Sequence, residues 1–124
     1  MWVSVRGKND IAVLDCTTYH EKTRIAVPNG PSMTTFLPDG KLGDVCSSFT
    51  PETVVISTTD HTIVGHVKQE SPFCPDIAAT PDGKQGLRRA AINCSLLVIR
   101  FGCHGRDAPI MTERQRRGIK LIIA

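Results

Sequence analysis

Short runs of β-branched and apolar residues alternate with hydroxyl-rich or Pro-Gly segments along the first two thirds of the chain, and the alternation repeats. Ile11-Ala12-Val13-Leu14-Asp15-Cys16-Thr17-Thr18 lies over Thr53-Val54-Val55-Ile56-Ser57-Thr58-Thr59-Asp60 at an offset of 42 residues. The same offset sets Arg24-Ile25 over His66-Val67, and an offset of 43 sets Pro38-Asp39-Gly40-Lys41 over Pro81-Asp82-Gly83-Lys84. Recurrence of strand, turn, strand and turn in one order at a fixed period is the signature of a repeat architecture.

The residue chemistry predicts each element. Ile11, Val13 and Val55 belong to runs suited to strands packed between neighbouring sheets. Asp15–Thr18 and Ser57–Asp60 supply side-chain oxygens that bond nearby backbone amides, so they predict hairpin turns. Second strands are expected at Arg24–Val27 and Thr62–Lys68, and third strands at Met33–Leu37 and Ile77–Thr80. Pro-Asp-Gly then turns the chain, with Gly taking the positive φ of a tight hairpin. A fourth strand follows at Leu42–Ser47, and Met1–Val5 holds the same place one repeat earlier.

Four short strands in a repeat of about 42 residues make a propeller blade. The pattern resembles the YVTN-type β-propeller repeat: Trp2-Val3-Ser4-Val5 is similar to its name-giving fourth strand, and Asp10–Asp15 and both PDGK turns match it. The resemblance covers about 84 of the 124 residues. It implies an all-β fold of propeller-type blades, each of four antiparallel strands, in an incomplete ring with a divergent C-terminal tail. Two repeats are expected, at about 1–48 and 49–84. Proteins of this type close roughly six to eight blades into a ring. They are often periplasmic or secreted and include surface-layer proteins and relatives of lactonases and haem d1 domains. An extracytoplasmic, bacterial or archaeal setting follows from the resemblance alone. Function varies too widely among such rings to be carried over.

The pattern weakens after the second PDGK turn. Asp44 already stands where Trp2 stands one repeat earlier, and Arg88 and Arg89 fall where Val45 and Cys46 fall. Burying unpaired guanidinium groups in a central strand costs several kcal/mol each, so the repeat is expected to end near Gln85. Charge changes there too. Residues 1–84 carry a net −3 and residues 85–124 a net +6, with seven of the eight tail bases Arg. Such a step marks a boundary. Residues 86–124 are expected to have a separate origin, by frame change or fusion; the alternative is a divergent final segment with apolar strands at Leu96–Phe101 and Lys120–Ala124. Thr112-Glu113-Arg114-Gln115 has the form of a capping box, which would open a basic helix through Lys120 able to meet nucleic acid or an anionic surface. Gly118 interrupts that helix and no aromatic residue stands near for base stacking, so nucleic-acid binding is the weaker reading.

Loops joining fourth strand to first and second strand to third share one face, where propeller ligands usually sit. Here they are Ser47–Glu52, Pro28–Ser32 and Gln69–Pro75, and the candidate ligand-face residues are Asn29, Ser32, Cys46, Ser48, Glu52, Cys74 and Asp76. Cys46 and Cys74 could pair, provided that their Cα atoms lie within about 7 Å, or could remain two half-buried thiols that never meet. The chain has five cysteines and no close CxxC, so no redox compartment is defined. His20, His61, His66 and His104 form no metal-ligand spacing, and Cys94, Cys103 and His104 match neither a haem-attachment nor a common zinc pattern. GxSxG, HExxH, Walker A and GxGxxG are absent. No cofactor and no catalytic residue is therefore assigned, and no window has the roughly 18 apolar residues of a membrane span. Two blades cannot close a ring, so self-association, or another protein covering the open blade edges, is expected. The functional expectation is a non-catalytic structural or interaction module. The alternative is an enzyme or metal- or cofactor-binding propeller, lactonase-like or haem d1-like, completed by oligomerisation.

Overall fold

The computed structural model describes residues 1–68 and 76–89 and the strands at 96–100 and 111–115, with side chains through residue 86. Its strands are β1 (Trp2–Val5), β2 (Asp10–Leu14), β3 (Glu21–Ala26), β4 (Pro31–Phe36), β5 (Leu42–Ser47), β6 (Glu52–Ser57), β7 (Ile63–Lys68), β8 (Asp76–Ala79), β9 (Gln85–Arg89), β10 (Leu96–Arg100) and β11 (Met111–Gln115). A short 3-10 turn over Arg6–Lys8 links β1 to β2. All pairings are between sequence neighbours and antiparallel, in three sheets ordered β1-β2-β3, β4-β5-β6-β7 and β8-β9-β10-β11. No helix among the described residues is long and apolar enough to cross a membrane.

The turns bear out the repeat in detail. Ser57 N–H donates to the Thr62 carbonyl as Asp15 N–H does to that of His20, and His61 N–H donates to the Ser57 carbonyl as Tyr19 N–H does to that of Asp15. Tyr19 and His61, 42 positions apart, both have φ near +59°, and the register shifts between Val13 and Leu14 and again between Val55 and Ile56. In the two PDGK turns Gly40 and Gly83 have φ of +69° and +67°, where a Cβ would be strained. Asp39 and Asp82 each accept the backbone N–H two residues on, at 3.0 Å.

The sheets divide the chain at other points than the expected repeats. The breaks fall between β3 and β4 and between β7 and β8, so residue 48 lies inside the second sheet and the unit 49–84 is shared between two sheets. A repeat read from sequence fixes a period but not a phase, because every cyclic shift of the unit matches equally well. Hydrogen bonding sets the phase.

Strands continue past Gln85, near which the repeat is expected to end. Strand β9 includes Arg88 and Arg89, which pair in register with Ile77 and Asp76 on one side and with Leu97 and Leu96 on the other. Ladder bonds are made by backbone groups, whatever the side chain. The segment expected to open a basic helix, Thr112–Gln115, is extended in β11 and pairs with β10. Of the two apolar strands weighed for this region, Leu96–Phe101 corresponds to β10, and Lys120–Ala124 lies outside the described residues.

The core lies between sheets. Ile11, Val13 and Ile25 of the first sheet meet Val45, Val54 and Ile56 of the second, with Trp2, Val27 and Ile63 around them. On its other face the second sheet brings Cys46 against Ile77 of the third. With both faces covered, β5 is buried from Gly43 to Ser47, Asp44 included, and β6 from Thr53 to Ile56, where Val54-Val55-Ile56 is a continuous apolar run. The rim strand β3 has one buried residue, Ile25. Along one side of the stack, β4 lies beside both β1 and β8.

Candidate functional site

The two described loops of the expected ligand face, 27–30 and 48–51, are tied together by short-range hydrogen bonds. The Ser47 hydroxyl donates to the Asn29 carbonyl. It also receives the backbone N–H groups of Phe49 (3.2 Å) and Thr50 (2.8 Å), and the Thr50 hydroxyl lies 2.7 Å away. Ser48 N–H donates to the Gly30 carbonyl at 2.7 Å. Asn9, in the left-handed region at φ 56°, anchors the group to the first sheet: its Oδ1 accepts Gly30 N–H at 2.9 Å and its carbonyl accepts Val27 N–H at 3.0 Å. Arg6 places its guanidinium 4.8 Å from the centroid of the Phe49 ring, which is exposed.

The expected residues do not form one cluster. Asn29 is exposed and takes part through its backbone carbonyl. Ser32, in the irregular stretch between Pro31 and Thr34, donates its hydroxyl to the Cys46 carbonyl at 3.3 Å, and its own carbonyl receives the Ser4 hydroxyl at 2.9 Å. Cys46 is fully buried against Ile77, and Cys74 lies outside the described residues. Ser48 is buried, its hydroxyl without a hydrogen-bond partner among them. Glu52 begins β6 and sets Oε2 3.1 Å from Nδ1 of His66 on β7. Asp76 is exposed at the start of β8.

Sequence reasoning passed over Ser47, Asn9, Arg6 and Phe49. Ser47 could have been found: Ser-Ser-Phe-Thr offers a hydroxyl to the amides two and three residues on, the same device read correctly in the hairpin turns. The Arg6–Phe49 pair joins separate sheets, and no local pattern announces it. His20 sits exposed in the β2–β3 hairpin and His61 in the β6–β7 hairpin at the opposite end from the loop face, while His104, Cys94 and Cys103 lie outside the described residues. Among those described, no three of His, Cys, Asp and Glu are close enough to hold a metal ion.

Carboxylates are instead tuned at the rim. Arg24 forms paired bonds to Glu21 (2.7 and 2.9 Å) and to both oxygens of Asp10 (3.0 Å). The Arg24 guanidinium lowers the pKa of Glu21, and bonding to Glu21 and then Asp10 raises that of Arg24. Asp15 is held well below the usual carboxylate range by Lys22 at 2.8 Å, then by the N–H groups of Thr18 and Thr17. The arrangement fastens turns and sheet edges.

Three solved structures share this arrangement. Hydrazine synthase of Kuenenia stuttgartiensis matches 80% of the chain at 20% identity and a TM-score of 0.75. A candidate 6-phosphogluconolactonase of Bacteroides uniformis matches 95% at 15% identity, also at 0.75. The β-propeller domain of Cps50 (Swd1) from Myceliophteria thermophila matches 86% at 14% identity and 0.67. The sheets are propeller blades. The chain spans 28%, 38% and 39% of those three structures. No family model and no curated protein matches the sequence.

Proposed function

We propose that the chain is a YVTN-type propeller segment that serves as a structural and protein-interaction module and carries out no catalysis of its own. One observation carries this reading: β1 is an edge strand of a three-stranded sheet that stands beside two four-stranded ones. Antiparallel geometry gives that edge a chemistry. Met1 and Leu14 exchange hydrogen bonds in both directions, so in this register the backbone groups of Val3 and Val5 turn toward β2, and those of Trp2 and Ser4 turn outward. An outward row of backbone donors and acceptors is a template for another strand. On the loop face, by contrast, the Ser47 hydroxyl, the Asn9 amide and the Gly30 carbonyl are taken up in holding loops.

The test is turnover by the purified chain. Incubation with a panel of sugar and acyl lactones, with and without added divalent metal or haem, is expected to give no hydrolysis above buffer and no stoichiometric uptake of either group. Turnover abolished by Glu52→Gln or Asn29→Ala would overturn the proposal in favour of a catalytic propeller.

A further inference from the structure

We propose that Asn29 is a site of spontaneous deamidation that its loop keeps dormant, so that conversion marks molecules in which loops 27–30 and 48–51 have separated. The inference goes beyond the module reading above and does not depend on it. It gives Asn29, exposed at the loop face, a chemistry of its own in place of a ligand.

The reaction needs an asparagine whose next residue leaves its backbone nitrogen accessible. That N–H gives its proton to water, and the nitrogen attacks the side-chain amide carbon Cγ. The N–Cγ bond forms, the Cγ–Nδ2 bond breaks with loss of ammonia, and a succinimide ring remains. Water then opens the ring to aspartate or isoaspartate. Attack is least hindered when the next residue has no Cβ. Asn9 precedes Asp10 and Asn93 precedes Cys94, so of the three asparagines Asn29 alone is followed by glycine. The fold holds that glycine in place: Gly30 has φ of +73°, and a Cβ there would strike the Phe49 ring. The Asn29 side-chain amide takes no part in the bonds that fasten the loop.

What the Asn29–Gly30 peptide unit lacks is freedom. Its N–H, the group that must give up a proton, donates to Asn9 Oδ1 at 2.9 Å. Its carbonyl accepts the Ser47 hydroxyl, and the next carbonyl, that of Gly30, accepts Ser48 N–H at 2.7 Å. Swinging the Gly30 nitrogen toward Cγ rotates the peptide plane and breaks the Asn9 and Ser47 bonds together. The bond to Asn9 also opposes ionisation of the N–H. Loops open locally at less cost than the whole fold, so the open loop is the reactive state. Closure of the isoaspartate product is blocked by its own geometry. Its backbone runs through the former side chain, one methylene longer, and the carbonyl that met Ser47 has become a carboxylate. Conversion therefore runs one way and leaves a negative charge on the loop face.

The experiment follows ammonia release and the mass of the peptide carrying Asn29 while the full chain is held in mildly alkaline buffer. Fragment spectra separate Asn29 from Asp39-Gly40, which can isomerise without a change of mass. The folded chain is expected to convert at least about tenfold more slowly than the same chain unfolded in urea. Asn9→Gly keeps the left-handed conformation available and removes the acceptor. It is expected to convert about fivefold faster than the wild-type chain, the rate equivalent of one ordinary hydrogen bond. A readout that depends on no variant is the wild-type rate in rising urea, which is expected to climb before strand content by circular dichroism falls. In the isolated isoaspartyl form the Ser48 amide is expected to lose its protection from hydrogen exchange. Equal rates in the folded and unfolded chain, an Asn9→Gly rate no faster than wild type, a rate that climbs only as strand content falls, or unchanged Ser48 protection overturns the inference. None of these bears on lactone turnover, which judges the module reading separately.

Discussion

The first and second sheets are built from the same repeat, yet the second is closed on both faces and the first on one. Strands β2 and β6 share offset, bulge and hairpin geometry, so the local sequence does the same work in both. What differs is the company. Strand β6 is flanked by β5 and β7 and covered by the first and third sheets, while β1 pairs on one side and leaves Val3 in water. Local sequence determines the strand and turn; burial is conferred by the neighbouring sheet. Two equivalent positions, Val3 and Val45, therefore differ in exposure because a sheet packs against only one of them.

The largest effect that separates the two sheets is expected from truncating one apolar position in each. Ile56 is 0% exposed within the core between sheets, and Ile56→Ala should destabilise the chain by about 3 kcal/mol, the lost transfer energy plus a cavity. Val3→Ala, measured at a dilution where the chain is monomeric, should change stability by no more than about 0.5 kcal/mol, as surface substitutions do. Urea unfolding of the two variants decides this. Similar losses from both would mean that the first sheet is already covered within one copy, and the contrast would collapse.

A smaller effect is expected at the link between these sheets. Asn9 holds φ 56° and receives two backbone N–H groups from the connection to β4. Asn9→Ala loses the side-chain bond and places a less tolerant residue in the left-handed region, for a combined cost of about 2 kcal/mol. Asn9→Gly loses only the bond and should cost about half as much. Equal losses from the two variants would show that the backbone conformation contributes nothing.

How far the sequence could be read follows the same division. Turn chemistry was legible because it is local: Asp39 and Asp82 accept the amides that their Pro-Asp-Gly context predicts. The αL residues of the other hairpins were not, since Tyr19 and His61 are neither Gly nor Asn and are held there by bonds across the turn. The grouping of strands into blades was hidden because a period has no origin. Strand β9 was hidden because Arg88 and Arg89 argue against burial, whereas the ladder to Ile77 and Leu97 needs only backbone. Of the candidate site, the nearness of loops 27–30 and 48–51 was legible from strand alternation, but the placing of Cys46 against Ile77 depends on which sheet lies beside it.

The smallest effect distinguishes the turns by the kind of partner their carboxylates have. Asp15, after β2, is lowered chiefly by the Lys22 ammonium, while Asp60, after β6, is lowered chiefly by the Ser57 hydroxyl and then by Thr62. Both groups have a folded pKa below the unfolded value of about 3.9. Each therefore contributes stability that is fully present above the ordinary carboxylate range and is lost as pH falls through the folded value. Asp15 is half-buried and Asp60 exposed at the rim, so each contribution is small, but salt should tell them apart. An ion pair is screened as the Debye length shrinks from about 10 Å at 0.1 M to about 3 Å at 1 M, and a short hydrogen bond to a neutral hydroxyl is affected much less. Asp15→Asn should flatten the acid limb of the stability curve at low salt and have a markedly weaker effect at 1 M, whereas Asp60→Asn should flatten it alike at both. Urea midpoints between pH 2 and 6 measure this directly. If the Asp15 effect does not respond to salt, the Thr17 and Thr18 amides rather than Lys22 hold that carboxylate, and the hairpins of the first and second sheets are alike in chemistry as well as in shape.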